Sequence, residues 1–364
     1  MPAPAKLTGA NLSIQICNRF QFSCEAYKSL LAASSATVFQ HPEWLDTFYE
    51  ILVPYLDAQP RIVVIRADNL LLGVIPFLTR SVDECVILEF AHGGVSDYVC
   101  PILHADLVAD SNAMEQIALQ LQTLLEEHDA LFIDRIPQHS AALWRRLLKL
   151  PTQSSGISSH MLLLNKPYTQ WRRDTFSSNR RQQLGRKRRR LSQNRDLAFR
   201  IAEPPTIAAR IRTLRDFRED RFPGDPLYKQ SPYDFYRTIA QRGQRQDMAR
   251  TFELVLDDEV IAVCFGLVNR NTFLFLLLGG NYKDYGDNSP GTLMLESMIQ
   301  HWIATGGSHF DLTIGDEPYK KIFRPSPSPV FHIYHGLTSK GEQLIRRKPE
   351  GFKHRMSTVA GGDQ

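Results

Sequence analysis

The chain has 364 residues, 43% of them apolar, and a formal net charge of +4. This composition is that of a soluble globular protein long enough for two domains or one large one, and so mild a charge does not by itself call for a nucleic-acid partner. Five cysteines, Cys17, Cys24, Cys85, Cys100 and Cys264, are scattered without a C-x-x-C pair. Their odd number argues against a complete disulfide framework and for a reducing cytoplasm. The N-terminus lacks an apolar core of signal-peptide length, and no run reaches the roughly 18 apolar residues of a membrane span. The expectation is a soluble, cytoplasmic protein.

In chain order, Leu12 to Cys17 reads as a strand and Glu25 to Ala33 as a helix. His41-Pro42 opens a second helix with Trp44, Phe48, Ile51 and Leu52 on one face, a core stripe. Arg61 to Ala67 and Leu70 to Thr79 are strands around the turn Asp68-Asn69, and Val86 to Phe90 is a third, closed by Gly93-Gly94. Ala113 to Glu127 reads as a helix and Leu131 to Ile136 as the strand after it.

Trp171 to Arg200 carries eleven Arg or Lys residues against Asp174 and Asp196. The run Arg186-Lys-Arg-Arg-Arg190 spreads charge around a helix. It reads either as a solvated basic face or as a binding surface for a polyanion: nucleic acid, phosphorylated substrate, cofactor phosphate or anionic membrane. No aromatic RNA-binding motif accompanies it. Asp216 to Tyr236 reads as a loop between helices, with the character of a substrate lid.

The second half then repeats the order of the first. Thr251 to Leu256 and Val260 to Val268 surround Asp257-Asp258, and Phe273 to Leu278 leads to Gly279-Gly280. Ser289 is a candidate N-cap, Pro290 suits the first helical position, and Gly291 allows close approach of a ligand. The helix is therefore predicted to start at Pro290 and to run about four turns, with Met294, Leu295, Met298, Ile299, Trp302 and Ile303 at helical spacing. His309 to Ile314 follows as a strand parallel to the first. This order leaves free helix N–H groups at one end of the sheet, which suits either an ordinary capped helix or a phosphate site. Phe132-Ile-Asp134 resembles Phe310-Asp311-Leu312, whereas the first half has no Ser-Pro-Gly before its helix. The second copy is thus the better candidate site.

Taken together, the Arg-rich helix, the hairpin ending in Val260-Ile-Ala262, the Tyr282/Tyr285 loop, Ser289-Pro290-Gly291, Phe310-Asp311 and Gly315 through Tyr319-Lys320 resemble the acetyltransferase domain of CelD-like cellulose-biosynthesis proteins. These are GNAT-superfamily N-acyltransferases related to the FemAB-type peptidyltransferases. The resemblance covers roughly residues 165–325. It implies an α/β (α+β) fold of tandem GNAT-like domains, each a mixed β-sheet flanked by helices: a degenerate domain over 1–164, an acyl-CoA-binding domain over 165–346 and a flexible tail over 347–364.

The implied reaction moves an acyl group from acyl-CoA to a small-molecule amine in envelope or exopolysaccharide metabolism, with no metal. The main chain at Leu277 and Leu278 would pair with the pantetheine arm, and Ser289, Pro290, Gly291 and Thr292 would receive the pyrophosphate. Asp311 and Glu317 are candidate bases for the acceptor amine. Asp311 has the alternative of tying a strand end to a loop. Tyr319 is a candidate acid for the leaving thiolate or a packing residue with a wet hydroxyl, and Tyr285 and Lys320 are candidate substrate contacts. His309 reads as structural. Two alternatives stand beside this one. The first is an aminoacyl-tRNA-dependent transferase, in which the Arg-rich segment over 172–200 holds tRNA. The second is a non-catalytic GNAT-fold protein that binds an anionic or regulatory partner.

Overall fold

A computed structural model describes residues 12–219, 221 and 224–347. Its strands are β1 (Leu12–Cys17), β2 (Gln59–Ala67), β3 (Leu70–Val82), β4 (Cys85–Phe90), β5 (Ile102–Leu103), β6 (Ala130–Pro137), β7 (Gln153–Leu163), β8 (Leu197–Ile201), β9 (Ala249–Leu256), β10 (Glu259–Asn269), β11 (Thr272–Gly280), β12 (His309–Ile314) and β13 (Ser326–Gly336). The chain forms two compact units, one of residues 12–157 with 329–347 and one of residues 158–328. This division differs from a linear one near residue 164, because the chain after Ser328 returns to the first unit. The proposed tail over 347–364 lies outside the described residues except for Arg347, which ends a helix.

In the first unit the strands run in the order β1-β2-β3-β4-β6-β13, with β5 paired to β3. The helices Ser111–Glu126 and Gln138–Leu148 bury Leu121, Leu124, Trp144 and Leu147 against this sheet. Trp144 is fully buried, its ring meeting Phe90 edge-on at 5.8 Å. The strand β4 is parallel to β6 over three residue pairs, Ile87↔Ala130 to Glu89↔Phe132. Beyond them, Arg135 takes φ 55° with its N–H donating to Asp134 Oδ1 at 2.8 Å. The buried Arg135 guanidinium then reaches the carbonyls of Gly94 and Ser96 and the carboxylate of Asp97 at 2.9–3.1 Å. The loop after β4 is thereby drawn in over the end of β6.

The second unit has the order β7-β12-β11-β10-β9-β8. As the periodicity predicts, its central helix starts at Pro290 and runs through Ala304. Leu293, Met294, Leu295, Met298 and Ile299 pack with Phe252, Phe273 and Phe310 in one core cluster. Each such buried side chain contributes on the order of 1.5–3 kcal/mol through removal of apolar surface from water. The segment over 216–236 is a loop only in part, since a helix already begins at Gln230 and continues to Arg245. Its stripe Tyr233, Phe235, Tyr236, Ile239 and Ala240 is buried.

Gly279 and Gly280 do not stop β11, which runs through both. Their smallness serves another purpose. A Cβ on Gly279 would stand 2.9 Å from the Leu214 carbonyl oxygen and 2.9 Å from Phe217 Cβ, so the helix Ile207–Asp216 lies against bare main chain there. Gly279→Ala is expected to destabilise the protein by about 1–3 kcal/mol through forced displacement of that helix. A urea denaturation midpoint equal to that of the wild type would contradict so close a contact.

Candidate functional site

The strands β11 and β12 run parallel but pair over three residues only, Thr272↔His309, Phe273↔Phe310 and Leu274↔Asp311. Each then acquires an irregularity. In β11, Leu276 is an extra residue against β10, whose partners step from Phe275 to Leu277. In β12 the register against β7 shifts between Asp311 and Ile314, and Thr313 takes φ 59°. Such insertions bend a strand and increase its twist. The two strands therefore diverge, bolted at the point of divergence by Thr313 Oγ1 donating to the Phe275 carbonyl at 3.1 Å.

The divergence opens a cleft of about 900 Å³, counting space continuous with solvent. Phe275, Leu276 and Leu278 line one side, and Leu312, Thr313 and Ile314 the other. At one end stand Gly291 and Thr292, from the first turn of the Pro290–Ala304 helix. Glu317, Tyr319 and Lys320 enter from the turn after β12, and Phe217, Arg218 and Arg221 from the segment after the helix Ile207–Asp216. Arg218 is buried, ion-paired to Asp225 at 2.6 Å and hydrogen-bonded to the Leu278 carbonyl at 2.8 Å.

Ser289 occupies the N-cap position but does not cap. Its backbone is left-handed, with φ 52°, and its hydroxyl instead accepts from Lys187 Nζ at 2.5 Å. Asn288 Nδ2 donates to the Lys187 carbonyl at 3.3 Å. Burial, followed by the charges of Arg180 and Arg190, lowers the Lys187 pKa. The first helical N–H groups, at Gly291 and Thr292, are thus left without a cap from Ser289. Gly291 leaves room for Tyr282, because a Cβ there would stand 2.2 Å from the Tyr282 hydroxyl. The Arg221 guanidinium covers the Tyr282 ring at 3.6 Å.

The turn after β12 is held from within and from β7. Lys320 is buried, and its ammonium donates to the carbonyls of Thr313, Ile314 and Gly315 at 3.3, 2.8 and 3.0 Å. It also lies 2.9 Å from Glu317 Oε2. Gly315 has φ 110° and admits the Glu317 carboxylate where a Cβ would lie 2.6 Å from Oε1. From the other side, His160 Nε2 lies 2.8 Å from Asp316 Oδ1, and the Ser158 N–H donates to Asp316 Oδ2 at 3.2 Å.

The sequence-predicted residues divide accordingly. Leu278, Gly291, Thr292, Glu317, Tyr319 and Lys320 line one cleft. Asp311 does not: it is buried, and its carboxylate accepts the Thr313 N–H at 2.7 Å, so it shapes the bulge. Tyr285 also lies away, its hydroxyl bonded to Glu259 at 2.5 Å and to Arg195 at 3.3 Å. Leu277 is buried, Ser289 is engaged by Lys187, and Pro290 serves as the first helical residue. Lys320 reaches the cleft with its ammonium already surrounded by main-chain oxygens and Glu317, which makes it a clamp of the turn. His309 Nδ1 lies 2.9 Å from Ser308 Oγ, consistent with a structural residue.

Sequence reasoning missed Arg218, Arg221, Tyr282 and Thr313 as cleft residues. A signal existed for Tyr282, an aromatic two residues after Gly279-Gly280, whereas Arg218 and Arg221 stand far from these glycines in the sequence and meet them only in the fold. Thr313 carried none, since threonine is an ordinary strand residue.

Comparison with known proteins agrees with this architecture. Residues 178–321 match a family model described as an acetyltransferase (GNAT) domain. The fold is similar to that of the crystal structure of FemX, with 10% identity, TM-score 0.61, and coverage of 91% of this chain and 99% of that one. It is also similar to L-PGS from Bacillus licheniformis, with 13% identity, TM-score 0.53, and coverage of 92% and 96%. A conserved protein of unknown function from Bacteroides thetaiotaomicron VPI-5482 aligns at 10% identity and TM-score 0.55 over 88% and 99%. No curated protein matches the sequence. The chain thus carries a GNAT-like fold, with the GNAT match confined to the half that holds the cleft. Among the described residues no helix is long and apolar enough to cross a membrane.

Lys320→Met would leave Glu317 and three carbonyls without their shared cation. Removing one partner of a buried pair costs about 3–5 kcal/mol, so the variant is expected to lose that much stability in urea titration. A loss within about 0.5 kcal/mol, typical of an unconstrained surface site, would show that the clamp does not form.

Proposed function

We propose that this protein is an N-acyltransferase that moves an acyl group from acyl-CoA to a small amine by direct attack. One observation carries the reading: a helix N-terminus that its N-cap residue Ser289 does not cap and a carboxylate, Glu317, line the same cleft between two diverging strands. The Gly291 and Thr292 N–H groups and the positive end of the helix dipole suit the pyrophosphate. The main chain of β11 from Leu276 to Leu278, past its last pairing with β12, suits the amide-bearing pantetheine arm.

In this arrangement the acceptor nitrogen attacks the thioester carbon as its proton passes to the Glu317 carboxylate. The C–N bond forms, and the C–S bond breaks as the tetrahedral intermediate collapses. Lys320 holds Glu317 in place through the turn and touches no reacting atom. A β11 main-chain N–H supports the charge that develops on the thioester oxygen. Tyr319 is the candidate donor to the departing sulfur, its ring 6.5 Å from that of Phe275 in the cleft wall. The CelD-like resemblance directs the acceptor search toward amino sugars, amino acids and other small amines of envelope or exopolysaccharide metabolism.

Calorimetric titration with acetyl-CoA and with CoA should give saturable binding. Gly291→Trp, whose side chain must displace Tyr282, should abolish it in a folded protein. Once an acceptor is found, Glu317→Gln should lower kcat by about a hundredfold or more while leaving acetyl-CoA affinity unchanged. Absence of acyl-CoA binding by the wild type would falsify the proposal.

A further inference from the structure

The Ser178–Leu191 helix holds seven Arg or Lys residues and no acidic one, more than the net charge of the whole chain. The remainder of the chain is therefore net acidic, and the helix is a local positive feature on it. The structure separates six of these seven cations into two groups, with half-buried Arg180 in neither. Lys187 binds Ser289, Arg181 donates to the carbonyls of Arg173 and Phe176, and Arg188 donates to Ser297 Oγ at 3.0 Å and lies 3.5 Å from the buried Glu296 carboxylate. Arg186, Arg189 and Arg190 are exposed and have no hydrogen bond or ion pair to their guanidinium groups among the described residues.

The spacing of that second group is regular. Three or four residues along a helix rise about 4.5–6 Å and return to the same face, so Arg186, Arg189 and Arg190 form one stripe. Asn179, Gln182 and Gln193 extend it at both ends and are likewise exposed. The apolar residues Leu184 and Leu191 are buried on the opposite side.

We propose that this stripe is a docking surface for the phosphate backbone of a nucleic acid. Guanidinium forks match phosphate oxygens bidentately, and Asn and Gln amides supply further backbone contacts without reading sequence. A membrane surface is the poorer fit, because interfacial helices need an apolar face to bury and this exposed face has none. The surface is independent of the acyl-transfer chemistry, since none of its three arginines lines the cleft.

The test is fluorescence polarisation of the full chain with labelled mixed-sequence RNA and DNA oligonucleotides, from about 50 to 200 mM salt. Binding should weaken as salt rises. The Arg186→Gln/Arg189→Gln/Arg190→Gln variant should bind at least about tenfold more weakly and lose roughly two to three from the log–log salt slope, with single Arg189→Gln losing about one. Thermal melting and acetyl-CoA titration of these variants should match the wild type, so a failure here is distinct from a failure of the acyl-CoA reading. No binding of RNA or DNA by the wild type at low salt, or equal binding by the triple variant, overturns the proposal. Arginine-dependent binding to equimolar phosphatidylglycerol–phosphatidylcholine vesicles in place of nucleic acid overturns it in favour of a membrane contact.

Discussion

The second unit depends on a parallel strand pair that stops pairing. After Leu274 and Asp311 the main chains of β11 and β12 separate. In a buried sheet that separation would leave polar groups without partners, a cost of about 1–3 kcal/mol each. The residues around the gap reduce the cost from several directions. Thr313 reaches back to Phe275, Asp311 takes the Thr313 N–H, Arg218 takes the Leu278 carbonyl, and Lys320 gathers three carbonyls of the next turn. Beyond the last paired residues, Leu276 and Leu278 of β11 and Leu312 to Ile314 of β12 line the cleft.

The same region concentrates buried charge. Lys320 with Glu317 and Arg218 with Asp225 are ion pairs almost wholly removed from water. Such pairs add little net stability over apolar replacements, since desolvation offsets most of their attraction. Their value lies in geometry. Lys320 sets the conformation of residues 313–317, and Arg218 joins Asp225 to the end of β11, so groups from distant parts of the unit face one space.

The first unit treats the end of a short parallel pairing differently. Its β4 and β6 also pair over three residues, and Arg135, like Thr313, sits at positive φ and donates its main-chain N–H to a preceding aspartate, Asp134 immediately before it where Thr313 uses Asp311 two residues back. A threonine hydroxyl spans one hydrogen bond and leaves space beyond it. The arginine reaches much farther and draws the Gly94–Asp97 segment in with three contacts. In the first unit the Gly94–Asp97 segment is thus held beside the end of β6.

Much of this was legible in the amino-acid sequence because it depends on local chemistry. The apolar run of β11, Pro290 at the first helical position, the helix that follows and the strand at His309–Ile314 all rest on residue spacing and backbone preference. So does the internal repeat. The tertiary structure alone decided the roles of the polar residues, because a side chain's partner is set by what folds against it. Ser289 was read as a cap and instead serves Lys187, a residue remote in sequence. In the sequence Asp311 is equally a candidate base or a tie at a strand end, and its bond to the Thr313 N–H fits the second. Lys320 was read as a substrate contact and clamps its own turn. The strands β7 and β13 are not legible in the sequence, because β7 opens on a run of serine and glycine, β13 carries two prolines, neither shows a clean alternation, and their pairing comes from neighbours supplied by the fold.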